Sequence, residues 1–177
     1  MRYAVLGVII LVALVGCGGS DSDDGDSRRP ATPSADSQRA SDEFVRRVDM
    51  LCKDTNPQLA AIMAALTKVR DAGRAGRASL PKTFDAFATL LRNASQTTKR
   101  FVAQLRAIEV PSRERAFYDA LIDSVEKGSS NLRQQERAAE AQDASRLRAL
   151  SIQGSTVNAR GKGLIGGHGG FHFCGRS

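Results

Sequence analysis

Aromatic residues and histidines are scarce in this chain of 177 residues, which has seven Phe, two Tyr, two His and no Trp. Proteins that bind single-stranded nucleic acid stack bases on aromatic side chains set among basic residues, and this chain lacks that pattern. We therefore expect no nucleic-acid partner. The shortage of His also limits acid–base catalysis, because His168 and His172 are the only imidazoles and both lie within the last ten residues.

Motifs that carry common enzyme chemistry are missing as well. The chain has no Glu-x-x-His pair, no His-Glu-x-x-His, no phosphate-binding Gly-x-x-x-x-Gly-Lys-Ser and no Gly-x-Ser-x-Gly. The acids Glu136 and Glu140 are interspersed with Arg133 and Arg137, which predicts a solvated ion-pair surface and not a catalytic pair. We expect a protein that is not an enzyme and that needs no cofactor.

Long apolar runs are limited to the segment from Tyr3 to Val15, which follows the positive charge of Arg2. The run is too short to span a bilayer comfortably, but its length is typical of the apolar region of a secretory signal. We expect residues 1–16 to be a signal peptide. An ordinary signal cleaved nearby and an uncleaved N-terminal anchor are the alternatives.

The end of this run, Leu14-Val15-Gly16-Cys17, resembles the lipobox of bacterial lipoproteins, in which a Leu and two small residues precede a Cys. The resemblance implies that the Cys17 thiol receives a diacylglyceryl group and that cleavage leaves Cys17 as the first residue. We therefore expect a lipid anchor that holds the protein at the extracytoplasmic face of the cell membrane. The membrane is the expected partner, and the sequence indicates no particular protein partner.

The charge of the chain is unevenly distributed. Residues 18–40 carry five Asp and three Arg with almost no apolar side chains, so we expect residues 17–40 to form the lipidated Cys and a disordered tether. Residues 41–177 carry 22 basic and 14 acidic side chains. A basic module held at a membrane predicts an anionic lipid or wall polymer as a further partner, and a merely solvated basic surface is the alternative.

Residues 41–177 have the pattern of a helical domain. Apolar residues recur there at intervals of three or four, and β-branched residues rarely cluster. The caps and breakers place four helices: one capped by Ser41 or Asp42 and ended by Gly73 and Gly76, one opened by Ser79 with Pro81 in its first turn, one capped by Ser112 after Pro111, and one capped by Asp143. Short connections then favour an all-α fold, an antiparallel four-helix bundle.

Two helices contain residues that interrupt them. Pro57 predicts a kink in the first helix, and a break with Thr55 or Asn56 as a new cap is the competing interpretation. Gly154 weakens the fourth helix, and its continuity there stays open. After Arg160 the chain becomes so rich in glycine that we expect an irregular tail lying over the end of the bundle.

The chain has three cysteines, of which the lipobox uses one. Cys52 and Cys174 then remain near opposite ends of the helical domain, in a compartment that permits disulfides. We expect them to pair, which would pin the Gly-rich C-terminal tail to the first helix.

The order of these features resembles the uncharacterised secreted helical lipoproteins of high-GC actinobacteria. It comprises the lipobox, a Ser/Asp/Pro tether, a helix with Phe44-Val45 and Cys52, further long helices and a Gly-rich end with Phe-x-Phe-Cys-Gly. The resemblance runs from Cys17 to Gly175 and implies no activity. We therefore expect a non-catalytic binding or structural module of the cell envelope.

Three alternative sites can be tested in the structure. His168, His172 and Cys174 could ligate zinc or copper or serve a haem, provided that Cys174 is not oxidised. An apolar pocket could lie among Met63, Phe84, Phe87 and Phe101, although such a stripe is more often plain core. An acidic partner could meet the arginines Arg46, Arg47, Arg70, Arg74 and Arg77.

Overall fold

The computed structural model describes residues 34–175, and these contain four α-helices and no strand. The helices are α1 (Ala35–Arg74), α2 (Leu80–Arg106), α3 (Arg115–Glu140) and α4 (Ala144–His168), and a 3-10 turn (Ser112–Glu114) precedes α3. The prediction of an all-α fold is confirmed. The expected signal peptide, Cys17 and the tether up to residue 33 lie outside the described residues.

Helix α1 begins earlier than predicted. The hydroxyl of Ser34 accepts a hydrogen bond from the backbone N–H of Ser37 at 3.2 Å, and Asp36 adds a negative charge in the first turn. The predicted start at Ser41 or Asp42 is therefore wrong, and residues 35–40 belong to the helix and not to a tether. The apolar stripe did not reveal this turn because its first apolar anchor is Phe44.

Helix α1 also runs through Pro57 without interruption, so the alternative of a break and a new cap there is wrong. Proline cannot donate to the carbonyl of Lys53, yet the helix on either side is held by contacts with other elements. Asn56, considered above as a cap, instead donates from Nδ2 to the carbonyl oxygen of Phe173 at 2.7 Å.

The predicted start of α2 is confirmed, and that of α3 is wrong. Ser79 is the N-cap residue of α2, and Pro81 lies in its first turn as expected. Ser112 does not cap α3, because it begins the 3-10 turn and α3 starts only at Arg115. The cap position of α3 belongs to Glu114, whose side chain makes no cap hydrogen bond and faces a histidine instead.

Helix α4 is the largest departure from the sequence-based expectation. Asp143 caps it as predicted, with Oδ1 accepting from the N–H of Arg146 at 2.8 Å. The helix then continues through Gly154 and on to His168, so the irregular segment predicted after Arg160 is wrong. Only residues 169–175 form a non-helical tail. The helix survives its glycines because its inner side, including Ile165, packs against the core.

The core consists of two apolar clusters. The first joins α1, α2, α3 and the tail, and it contains Phe44, Val48, Cys52, Leu105, Tyr118, Leu121 and Cys174. The second is smaller and contains Ala88, Leu91 and Ala139, with partly buried residues such as Leu66 and Leu147 packed against it. On α2 and α3, buried polar residues lie between the stretches that contribute to the two clusters, and they include Thr97, Ser129 and Asn131.

Consecutive helices pack against each other. Between α2 and α3, Arg92 bonds Glu136 at 2.7 Å and Glu140 at 2.6 Å, while Arg106 pairs with Glu126. Glu136 and Glu140 thus form partly exposed ion pairs, as predicted, and the arginine that they bind lies on α2 and not on their own helix. Between α3 and α4, Asn131 donates to the carbonyl of Leu150 at 3.0 Å.

Alanine substitutions in α4 are expected to have opposite effects at two glycines. A Cβ at Gly154 would lie 2.7 Å from Oδ1 of Asn131, a buried side chain held by its bond to Leu150. We expect Gly154→Ala to destabilise the fold by about 1–2 kcal/mol, because the overlap outweighs the gain in helix propensity. A Cβ at Gly166 meets nothing within 4 Å, so Gly166→Ala should stabilise it by about 0.5–1 kcal/mol.

Urea unfolding of the two variants and the parent protein measures this difference. A stabilising effect at both positions would mean that α3 and α4 do not approach each other closely at Gly154. A destabilising effect at Gly166 would mean that residues 161–168 are not helical.

Candidate functional site

The C-terminal tail is joined to α1 by a disulfide. The sulfur atoms of Cys52 and Cys174 are 2.07 Å apart and their Cα atoms are 5.1 Å apart. Both residues are buried and belong to the first core cluster together with Phe44 and Leu105. The predicted pairing of Cys52 with Cys174 is confirmed. It makes the tail part of the core instead of a loose cover.

Asp49 lies one turn before Cys52 on α1 and binds the backbone of the tail. Its Oδ1 accepts from the N–H groups of Phe173 at 2.7 Å and Cys174 at 3.0 Å, and its Oδ2 accepts from that of His172 at 3.0 Å. Burial by itself would raise the pKa of Asp49. The three N–H donors and the nearby His172 outweigh it and hold the pKa below its ordinary value of 3.8.

Two further side chains of α1 contact the same stretch of tail. Asn56, one turn beyond Cys52, donates to the carbonyl oxygen of Phe173. The ammonium group of Lys53 lies 5.2 Å from the centroid of the Phe173 ring, within cation–π range. Residues 49, 52 and 56 share one face of the helix, so a single stripe of α1 holds the tail through hydrogen bonds and a covalent bond.

His168, the last residue of α4, connects that helix to the start of α3. Its Nε2 lies 2.6 Å from Oε2 of Glu114, and its Nδ1 lies 3.1 Å from the carbonyl oxygen of Gly169. The ring also contacts Phe117, with centroids 4.2 Å apart, and Phe171, at 5.3 Å. Both ring nitrogens therefore face oxygen atoms of the protein.

The alternative metal or haem site gains no support from this geometry. Cys174 is in a disulfide, so its sulfur is not a thiolate ligand. His168 has both nitrogens engaged, and His172 reaches Asp49 through its backbone N–H while the residue is exposed. Within residues 34–175, no three His, Cys, Asp or Glu side chains are grouped so as to hold a metal ion.

A cleft of 390 Å³ is lined by the first half of α1, by Glu114, by the last residue of α4 and by the start of the tail. Among its lining residues are Ser41, Arg46, Asp49, Glu114 and His168. Asp49 already accepts hydrogen bonds from the tail, and Glu114 already faces His168. Arg46 binds Glu43 at 2.8 Å and 2.9 Å. The hydroxyl of Ser41 is buried without a hydrogen-bond partner among residues 34–175, so no base of this part of the chain is bonded to it to activate it as a nucleophile.

The apolar candidates lie in different places, and three of the five suggested arginines already have acidic partners. Met63 is 54% exposed, Phe84 and Phe87 pack against the second core cluster, and Phe101 packs against the first. They therefore do not line one common pocket. Among the suggested arginines, Arg46 and Arg47 bind Glu43, and Arg70 binds its neighbour Asp71. The two bonds from arginine lower the pKa of the Glu43 carboxyl to about 2.

Sequence reasoning missed Asp49, Asn56 and Glu114 as residues that organise the C-terminal end. One signal was available for the first two, because they are polar residues on the face of α1 that carries Cys52. Glu114 gave no comparable signal, since its partner His168 is 54 residues away in the chain.

Comparisons with known proteins leave the family open. No protein-family model, no curated protein and no solved structure matches the chain. Among the helices of residues 34–175, none combines the length and the hydrophobicity that a transmembrane span requires.

Proposed function

We propose that this protein is a lipid-anchored module of the cell envelope, exposed on the extracytoplasmic side, with a binding or structural role that does not involve catalysis. The observation that carries the proposal is the buried Cys52–Cys174 disulfide. Structural disulfides persist in oxidising compartments and are rare in the cytoplasm. The lipobox-like Leu14-Val15-Gly16-Cys17 adds the means of export and of attachment.

The proposed module is an antiparallel four-helix bundle closed by the tail. Contacts between consecutive helices support this arrangement. Along α2 and α3, Arg92 meets Glu136 while the later Arg106 meets the earlier Glu126, as expected for helices that run in opposite directions. The α3 and α4 segments show the same reversed order. The later residue Asn131 bonds the earlier Leu150, and the earlier Glu114 bonds the later His168.

A non-catalytic role is supported by the state of the polar groups in the cleft. Acids and bases that could act on a substrate are instead bonded to each other or to the backbone of the tail, as described for Asp49, Glu114 and Arg46. The bonds of Asp49 and Glu114 stabilise the C-terminal end of the domain. The proposed membership in the secreted helical lipoproteins of high-GC actinobacteria agrees with this role.

Replacing Cys17 is expected to release the protein from the membrane. In cells that express Cys17→Ala, we expect the protein to move from the membrane fraction to the soluble extracytoplasmic fraction, because the thiol that carries the lipid is lost. Ser20→Ala, three residues away, is the matched control and should stay in the membrane. Mass spectrometry of the purified N-terminal peptide should show a lipid on Cys17 of the control.

Retention of Cys17→Ala in the membrane would instead identify residues 1–16 as an uncleaved anchor. Labelling of thiols in intact cells tests the extracytoplasmic location of the domain independently of its lipid attachment. Cys52 and Cys174 should resist alkylation until a reductant is added, and free thiols at both positions would contradict the extracytoplasmic location.

A further inference from the structure

Helix α4 differs in charge from the other three helices. Residues 144–168 include Arg146, Arg148, Arg160 and Lys162 and contain no Asp or Glu. In contrast, α1 carries six acidic and seven basic side chains, and α3 carries five acidic and four basic ones. The positive charge of α4 is therefore not offset within the helix, whereas that of α1 and α3 is.

The arginines of α4 also lack partners from neighbouring elements. All three are exposed, and no carboxylate of the described residues lies within ion-pair distance of Arg146, Arg148 or Arg160. Helix α2 has an excess of basic residues as well, but Arg92 and Arg106 are used in ion pairs with α3. Along α4, by contrast, no carboxylate of the described residues opposes the charge of the three arginines.

The shape of the outward side of α4 suits a flat partner. Ser145, Ala149, Ser155 and Ala159 are exposed there and have short side chains. Ile152 is 60% exposed on the same side, one turn after Arg148. Basic side chains on an exposed helix face are attracted to the negative surface of an anionic bilayer, and the neighbouring Ile152 can enter the headgroup region.

We propose that the outward side of α4, defined by Arg148, Ile152, Ser155, Ala159 and Arg160, docks on anionic lipid headgroups of the membrane that carries the anchor. This inference rests on the proposed lipid attachment, which keeps the domain near that surface. The arginines supply the attraction, and Ile152 enters the headgroup region between them. Charge complementarity favours an anionic lipid surface, because the arginines of α4 lie along an exposed helix whose neighbouring side chains are short.

A tryptophan introduced at position 152 tests the docking directly, since the natural chain has no Trp and its background emission is therefore absent. Full-length lipidated Ile152→Trp is reconstituted in vesicles of phosphatidylcholine with 0% or about 30% phosphatidylglycerol. We expect a blue-shifted emission and quenching by brominated lipid only in the anionic vesicles. Met63→Trp, at an exposed position of α1, is the matched control and should keep the emission of a water-exposed indole.

Charge reversal on α4 should abolish this signal. In the Ile152→Trp background, Arg148→Glu with Arg160→Glu is expected to weaken docking at least about 25-fold, taking about fivefold for each basic side chain near an anionic surface. Lys82→Glu with Lys99→Glu changes the net charge equally on exposed positions of α2 and should leave the signal in place. About 1 M salt, where the Debye length is about 3 Å, should also remove it.

Flotation of the vesicles separates this inference from the proposed function. If Ile152→Trp floats while its indole stays water-exposed at low salt, the docking of α4 is wrong and the anchor stands. If the protein does not float, lipid attachment itself is wrong. Equal loss of signal from the α2 and α4 charge variants would also overturn the inference, because net charge alone would then explain binding. Loss of the signal on addition of a little anionic wall polymer would overturn it too, because α4 would then prefer the polymer to the lipid.

Discussion

Cys174→Ser is expected to lower the free energy of unfolding by about 3–5 kcal/mol. The bond joins residues separated by 122 positions, so its loss frees a very long loop in the unfolded chain. On the chain-entropy account a loop of this size corresponds to about 5 kcal/mol, which is an upper estimate. Urea unfolding followed by circular dichroism, without reductant, measures the change.

The folded state should also change locally in this variant. The tail is held at one point by the covalent bond and at others by polar contacts and by the packing of Phe171 on the core. Hydrogen exchange should accelerate at the N–H groups of residues 172–174. Parent protein treated with a reductant is the control and should match Cys174→Ser. An unchanged unfolding midpoint in both samples would show that the two thiols are not bridged in the native protein.

Asp49→Ala is expected to lower the free energy of unfolding by about 3 kcal/mol. The substitution removes the acceptor of three backbone N–H groups in a buried position. A hydrogen bond to a charged group contributes about 1.5–3 kcal/mol, and the three contributions are not additive because they share one carboxylate. Urea unfolding again gives the value, and the disulfide should still form.

Two variants show whether the carboxylate acts through these bonds. Asp49→Asn keeps one carbonyl oxygen, which can still accept from Phe173 and Cys174, but it turns an amide donor towards the N–H of His172. The free energy of unfolding of Asp49→Asn should lie between those of the parent and of Asp49→Ala. Asp54→Ala removes an exposed carboxylate from the same helix and should change stability by less than about 0.5 kcal/mol. Equal losses in Asp49→Ala and Asp54→Ala would contradict the role of Asp49.

The contribution of Asp49 should depend on pH. Its folded pKa lies below the ordinary value of 3.8, so the unfolded chain takes up the proton first as the pH falls. The stabilisation is complete above about pH 5 and is lost as the pH falls through the folded pKa. The difference in unfolding free energy between parent and Asp49→Ala should therefore shrink below about pH 4. A difference that grows on acidification would show that the carboxyl is protonated in the native state.

Local sequence patterns were sufficient for part of the fold. The number of helices follows from apolar spacing, the start of α2 from Ser79 with Pro81 in its first turn, and the start of α4 from Asp143, which accepts from a free N–H group. The Cys52–Cys174 pair followed from the number of cysteines left after the lipobox and from the expectation of a compartment that permits disulfides. The helix features depend on residues that are close together in the chain, and the disulfide depends on a pairing with only two candidate cysteines. The sequence is informative in both cases.

Other features depend on tertiary contacts. Gly161, Gly163, Gly166 and Gly167 argue locally against a helix, yet α4 continues because Ile165 packs on the core and the chain that follows is tied to α1. Asp49 and the N–H groups of the tail are more than 120 residues apart, and Glu114 and His168 meet across 54. A helical domain closed by a disulfide could thus be inferred from the order of the residues. The end of α4 and the polar groups that hold the tail could not, because those interactions form between distant residues after the helices have packed.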